Sequence, residues 1–211
     1  MRPPEDLRAA RVTVGIAIAT AAAWLLSLSL PPHGLWSFGG FIPARISGGS
    51  GLDGLPVVLT PLSATLLHAD FVHLFFNIIF LLICGRAVEP VLGGKGLAVL
   101  YLVGAYAAAA AQYWAAPLEL TPMIGASGAV SAVIGAYALL FGRNKVRIAN
   151  PAVAVAVNAL WLAAAWVGLQ MLIGYSFGTA GLRIAVAAHI GGFLAGLLLA
   201  RPLLLLRWRG A

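Results

Sequence analysis

Ser127 is the residue in this chain best suited to do chemistry. It stands between glycines in GASG (Gly125–Gly128), at the head of an apolar run, GASGAVSAVIGAY, that reaches Tyr137 and is too long for a strand. Gly125 and Gly128 bare the hydroxyl and leave backbone N–H groups open beside it. At a helix N-terminus those N–H groups and the helix dipole favour the negative charge that develops when a serine attacks a carbonyl. The same letters also make a packing surface, because Gly, Ala and Ser line close contacts between membrane helices. The other polar residues tip the balance: His68, His73 and Asn77 in HADFVHLFFN, and His189 in AHIGG (Ala188–Gly192). An imidazole is the common general base for a serine hydroxyl.

The elements that must position these residues follow from composition. The 211-residue chain is 62% hydrophobic and 9% charged, against roughly 25% charged in a soluble domain. An integral membrane protein with one compact membrane domain and lipid for solvent is expected. The net charge of +7 is scattered singly between apolar runs. It forms no patch with interleaved aromatics, so nucleic acid is not an expected partner and the charges are read as topology signals. The single cysteine, Cys84, excludes an internal disulfide and reads as a small core residue.

Six apolar runs are expected to cross the membrane, all as helices: about Val12–Leu30, Pro61–Gly85, Gly96–Trp114, Met123–Phe141, Ala152–Ile173 and Ile184–Leu206. Each is long enough, at ~1.5 Å per residue, to approach the ~30 Å hydrocarbon core. Alternating barrel strands do not explain such runs. The first run lacks a clear small-x-small cleavage site and reads as an uncleaved span rather than a signal peptide. The domain organisation is then a tail over 1–11, a membrane domain over 12–206 with a long outer loop at 31–59, and a tail over 207–211. That loop, rich in Gly, Pro, Ser and aromatics, contains WSFGGFI, apolar enough to lie in the interface. Eleven of the 13 basic residues fall on one side: Arg2, Arg8, Arg11, Arg86, Lys95, Arg143, Lys145, Arg147, Arg201, Arg207 and Arg209. Arg45 and Arg183 fall on the other, so both termini are expected in the cytoplasm.

With that topology, the second, fourth and sixth spans all start outside. His68, His73 and Asn77 lie in the outer part of the second, Ser127 a turn or so into the fourth, and His189 about 7–8 Å into the sixth. Polar groups inside spans are costly and face a cavity or a partner. On the fourth span Ser127, Ser131 and Gly135 share a face, and on the sixth Ala185, His189, Gly192 and Gly196 do. Packed stripe to stripe, these faces bring Ser127 and His189 within hydrogen-bond reach. The alternative is plain small-residue packing, with His189 bonded to a backbone carbonyl. His73 and Asn77, at i and i+4, can donate with the Ser127 N–H to an oxyanion. His68, five residues before His73, is offset from that face by roughly 140° and reads as a support for the helix end or loop. Asp70 reads as a solvated end charge. Asp53, Asp70 and Glu119 lie in or near outer segments and Glu89 is cytoplasmic, so no acid is placed to orient His189. The chemistry is a Ser–His dyad rather than a triad.

These residues resemble the rhomboid family of intramembrane serine proteases. HADFVHLFFN is similar to the family's His-x4-His-x3-Asn pattern, AVEPVLG to the segment closing that span, GASG to the Gly-x-Ser-Gly nucleophile motif, and AHIGG to the sixth-span Ala-His-x-x-Gly motif. The resemblance covers roughly residues 60–205. It implies a six-transmembrane-helix all-α bundle. Ser127 would be the nucleophile and His189 the base, with His73, Asn77 and the Ser127 N–H as oxyanion stabilisers and His68, Gly125 and Gly128 in support. It also implies transmembrane protein substrates cut near the outer surface, membrane lipids as surroundings, a polar cavity for water, and the minimal six-span form of a bacterial cytoplasmic membrane. There are departures. The loop lacks a Trp-Arg pair, Trp36 and Arg45 being apart, and Ser131 replaces the tyrosine that stacks on the catalytic histidine in several members. Two rivals remain: a non-catalytic relative that binds transmembrane segments, and a metal or haem protein using His68, His73 and His189. The i, i+5 spacing is poor for two ligands and HExxH is absent, so no metal or other cofactor is expected.

Overall fold

The computed structural model describes residues 10–48, 53–142, 150–179 and 185–209, without side chains for 173–179. The tail over 1–9, Arg143, Lys145, Arg147, Arg183 and Ile184 lie outside the described residues. Seven α-helices appear among the described residues: α1 (Arg11–Ser27), α2 (Pro32–Gly39), α3 (Thr60–Ser63), α4 (Phe71–Ala115), α5 (Ser127–Phe141), α6 (Pro151–Thr179) and α7 (Val186–Arg207). Among the described residues, three stretches are long and apolar enough to cross a membrane, Phe71–Ala115, Pro151–Leu172 and Val186–Arg207; α1 and α5 are apolar but shorter.

Helix α1 ends at Ser27, three residues before the end of the apolar run. The hydroxyls of Ser27 and Ser29 turn back to the carbonyls of Trp24 and Leu26, and Pro31 and Pro32 follow. Its start is capped from far along the chain. The Glu89 carboxylate accepts from Val12 N–H at 2.9 Å, Thr13 N–H at 2.7 Å and the Thr13 hydroxyl at 2.7 Å. Three donors and a helix N-terminus offset the cost of burying that charge.

Helix α4 holds two of the expected spans end to end. Gly93, with φ +79°, breaks it into arms over 71–92 and 94–115. A side chain rarely adopts that backbone, and glycine does so freely. The break strands the last carbonyls of the first arm. The guanidinium of Arg207, at the end of α7, donates to the carbonyls of Pro90 at 2.6 Å and Glu89 at 3.3 Å.

The core is made of small residues. Leu81, Val88, Leu97 and Leu100 of α4 pack with Ala129, Ala132, Val133 and Ala136 of α5 and Ala200 of α7. Glycine lets the backbones approach. A Cβ on Gly192 or Gly196 of α7 would collide with the carbonyl of Gly128 or Ala132, and one on Gly135 with that of Phe193. Helix α6 is the outlier: only 6% of its most apolar stretch is buried.

The stretch read as loop over 31–59 is more structured than expected. It carries α2, which starts at a proline that needs no N–H partner there, and a 3₁₀ turn at Pro43–Arg45. Phe41 pairs with Met123 through both backbone bonds, Phe41 N–H to O at 3.0 Å and Met123 N–H to O at 2.8 Å. Arg45 ties the loop without a tryptophan, donating to the carbonyl of Leu55 at 2.8 Å.

Candidate active site

Three elements meet around Ser127. The strand-like residue Met123 is pinned to Phe41, and Gly125 N–H donates to the Ala64 carbonyl at 2.9 Å. Gly125 then takes φ +108° and turns the chain into α5. Ser127 is therefore the first residue of α5, not a turn inside a span beginning at Met123. The first N–H groups of a helix have no carbonyl within it to pair with, so the hydroxyl sits beside open donors.

Ser127 Oγ lies 2.8 Å from Nε2 of His189, on the first turn of α7. The two come together because the glycine seam of α5 and α7 lets the helices close up. On the α5 side Gly128 and Ala132 join the expected stripe of Ser127, Ser131 and Gly135: the Gly128 and Ala132 carbonyls face Gly192 and Gly196, and Ser131 also borders Gly192. Ser131 turns its hydroxyl to the Ser127 carbonyl at 2.7 Å. Gly128 also faces α4, where a Cβ would run into that of Ala108. Ser127 and His189 are both half-buried.

His73 and His68 flank the approach to the serine. A Cβ on Gly125 would lie 2.6 Å from His73 Cε1 and Nε2, so glycine here serves both the backbone turn and the ring. His68 lies before α4 starts, after the 3₁₀ turn Ala64–Leu66. The helical offset reckoned from the sequence does not apply to it. Its buried ring packs edge-on against His73, centroids 4.9 Å apart, and its Nε2 accepts from Ala126 N–H at 3.4 Å. Asp70 is no idle end charge: it caps α4 by accepting from His73 N–H at 2.8 Å. Asn77 is buried one turn below His73 and donates to the His73 carbonyl at 2.8 Å. Among the described residues no cluster of His, Cys, Asp and Glu is arranged to hold a metal ion.

The sequence reading missed Gln170 of α6. Besides Ser127, it weighed only acids and a backbone carbonyl as partners for His189. Gln170 Oε1 lies 2.9 Å from His189 Nδ1. Trp166, one turn earlier, donates to the His189 carbonyl at 3.3 Å and stacks on Phe193 at 4.7 Å. The available signal was a lone amide in the apolar run WVGLQMLIG, since polar side chains inside spans normally have partners.

An all-helical membrane bundle with a serine and an imidazole in hydrogen-bond contact where two helices begin defines the class. The chain belongs to the rhomboid family: the Rhomboid domain model matches residues 57–206. It is an integral membrane protein. Over 140 residues it is 36% identical to the rhomboid protease GlpG of Pectobacterium atrosepticum, covering 65% of this chain and 46% of that protein. The rhomboid protease GlpG of Yersinia pestis is 34% identical over 141 residues, 65% of this chain and 45% of that one. The mitochondrial rhomboid protein 1 of Saccharomyces cerevisiae is 28% identical over 138 residues, 62% and 38% respectively. The chain spans less than half the length of these curated relatives.

Proposed function

We propose that the chain is an intramembrane serine endopeptidase that cleaves single-span membrane proteins near their outer end. The observation that carries this is the 2.8 Å approach of Ser127 Oγ to His189 Nε2 at the N-terminus of α5. His189 takes the Ser127 proton as Ser127 attacks the substrate carbonyl. The tetrahedral oxyanion is stabilised by the Ser127 N–H, His73 and Asn77. The imidazolium then gives its proton to the leaving amine, and an ester remains on Ser127. Water, deprotonated by His189, attacks the ester; the acid product leaves and Ser127 regains its proton.

The bundle crosses the membrane six times in this reading: α1, the two arms of α4, α5, α6 and α7. The basic residues put both termini in the cytoplasm, across a bacterial cytoplasmic membrane. Helix α5 has 15 residues, about 22 Å at ~1.5 Å each. That falls short of a ~30 Å core and leaves Ser127 below the outer surface, where water must reach it through a polar cavity. Substrate helices and membrane lipids are the expected surroundings, and no cofactor enters the reaction.

The test is cleavage of a single-span reporter in detergent or liposomes, with labelling of Ser127 by a fluorophosphonate. Ser127→Ala and His189→Ala are expected to lose at least about 10⁴-fold in rate. Folded wild-type protein that neither cleaves nor labels would instead be a relative that binds transmembrane segments without cutting them.

A further inference from the structure

We infer that Gln170 is a positioning residue for His189: its side-chain carbonyl holds the proton on Nδ1 and leaves Nε2 bare to accept from Ser127. This rests on the protease reading above and assigns the site a third member that its acidic residues do not supply.

A neutral imidazole carries one N–H, and the partner of one nitrogen decides the state of the other. His189 has a partner on each side: Gln170 Oε1 at 2.9 Å from Nδ1 and Ser127 Oγ at 2.8 Å from Nε2. A carbonyl oxygen only accepts, so Nδ1 must donate to it. Nε2 is then the acceptor, and the serine hydroxyl donates into it. If the Gln170 amide were turned round, its NH₂ would donate to Nδ1 and the proton would sit on Nε2, where it cannot take one from Ser127. The side-chain orientation of Gln170 therefore decides whether the pair can act.

Placement points the same way. Gln170 is 4% exposed on the helix of the bundle that is otherwise least covered. A polar side chain turned inward from such a helix loses free energy unless it meets a partner, and the partner it meets is His189. Trp166, one turn back on the same face, holds the backbone of the same residue. Two side chains of α6 thus hold His189 from outside the α5–α7 seam, Gln170 at the ring and Trp166 at the backbone. A neutral amide can orient an imidazole without adding a buried charge, the role asparagine plays in Cys–His–Asn proteases.

The experiment compares wild type with Gln170→Leu, Gln170→Met and Gln170→Glu, in full-length protein. Gln170→Leu and Gln170→Met are expected to lower kcat by about 10- to 100-fold with KM within about threefold. Glutamate keeps an accepting oxygen toward Nδ1, so Gln170→Glu is expected to stay within about tenfold of wild type. Nitrogen-15 NMR of histidine-labelled protein in a Ser127→Ala background reads the tautomer without needing activity; the His189 signals are assigned by their loss in His189→Gln. Protonated Nδ1 in wild type and a mixed or reversed state in Gln170→Leu are expected. Unchanged kcat and unchanged tautomer in Gln170→Leu overturn the assignment. So does a proton found on Nε2 with Gln170 in place, since glutamine would then be donating. Should both apolar variants unfold, the Gln170→Glu result and the wild-type tautomer still decide the matter. A wild type that fails to cleave refutes the protease reading, and the NMR result stands apart from it.

Discussion

Gly192→Ala tests whether the glycine seam is what sets the reacting distance. Gly192 lies one turn beyond His189 on α7, and a Cβ there falls on the Gly128 carbonyl, one residue from Ser127. Backbone, not a flexible side chain, blocks it. Ordinary carbon–oxygen contacts begin near ~3.3 Å, so α7 must retreat on the order of 1 Å from α5. Carried to the site, that retreat takes the 2.8 Å Ser127–His189 contact to roughly 3.8 Å, beyond hydrogen-bond range. A misplacement of that size costs about 100-fold in rate, or ~2.7 kcal/mol in the barrier. Overpacking should also remove about 1–3 kcal/mol of stability, partly offset by alanine's better helix propensity of ~1 kcal/mol. The assay is reporter cleavage and fluorophosphonate labelling, with thermal unfolding in the same detergent. Gly15→Ala is the control: it adds the same methyl to α1 where nothing lies within 4 Å, and is expected to keep full activity and equal or higher stability. Gly192→Ala cleaving at the wild-type rate would refute the idea that close backbone approach sets the Ser127–His189 distance.

Other substitutions probe the turn before Ser127 and the far end of the bundle. Gly125→Ala combines a backbone of φ +108° with a methyl 2.6 Å from the His73 ring. It should lower stability by about 1–3 kcal/mol, seen as a lower thermal midpoint, and should slow cleavage more than binding because His73 must move. Glu89→Ala strands the N–H groups of Val12 and Thr13 and should cost roughly 3 kcal/mol. Reporter KM should be little changed at temperatures where that protein stays folded, because Glu89 caps the opposite end of α1 from the loop that packs on the serine turn.

The letters alone carried a good deal. Apolar runs too long for strands in a chain with few charges require helices in lipid, because an unpaired backbone polar group there costs several kcal/mol. That physics holds for any neighbours, so α1, both arms of α4, α5, α6 and α7 could be read directly. Ser127, His189, His73 and Asn77 could be singled out for a related reason: polar groups in such runs are expensive and stand out. Boundaries were less legible. His68 and Asp70 sit in a polar, apolar-flanked stretch that fits a helix or its cap equally well, and the packing of Ala64–Leu66 and Gly125 decides where α4 begins.

Tertiary structure decided the pairings. Glu89 reads as a lone cytoplasmic acid until α1 brings two backbone N–H groups to it. Arg207 reads as a topology charge until the break at Gly93 offers it carbonyls. Gln170 has no acidic character to betray it, and its link to His189 joins residues on separate helices. A sequence reports what each side chain can donate or accept. Which donor meets which acceptor depends on how far two backbones can close, and here that distance is set by glycines that let α5 and α7 touch.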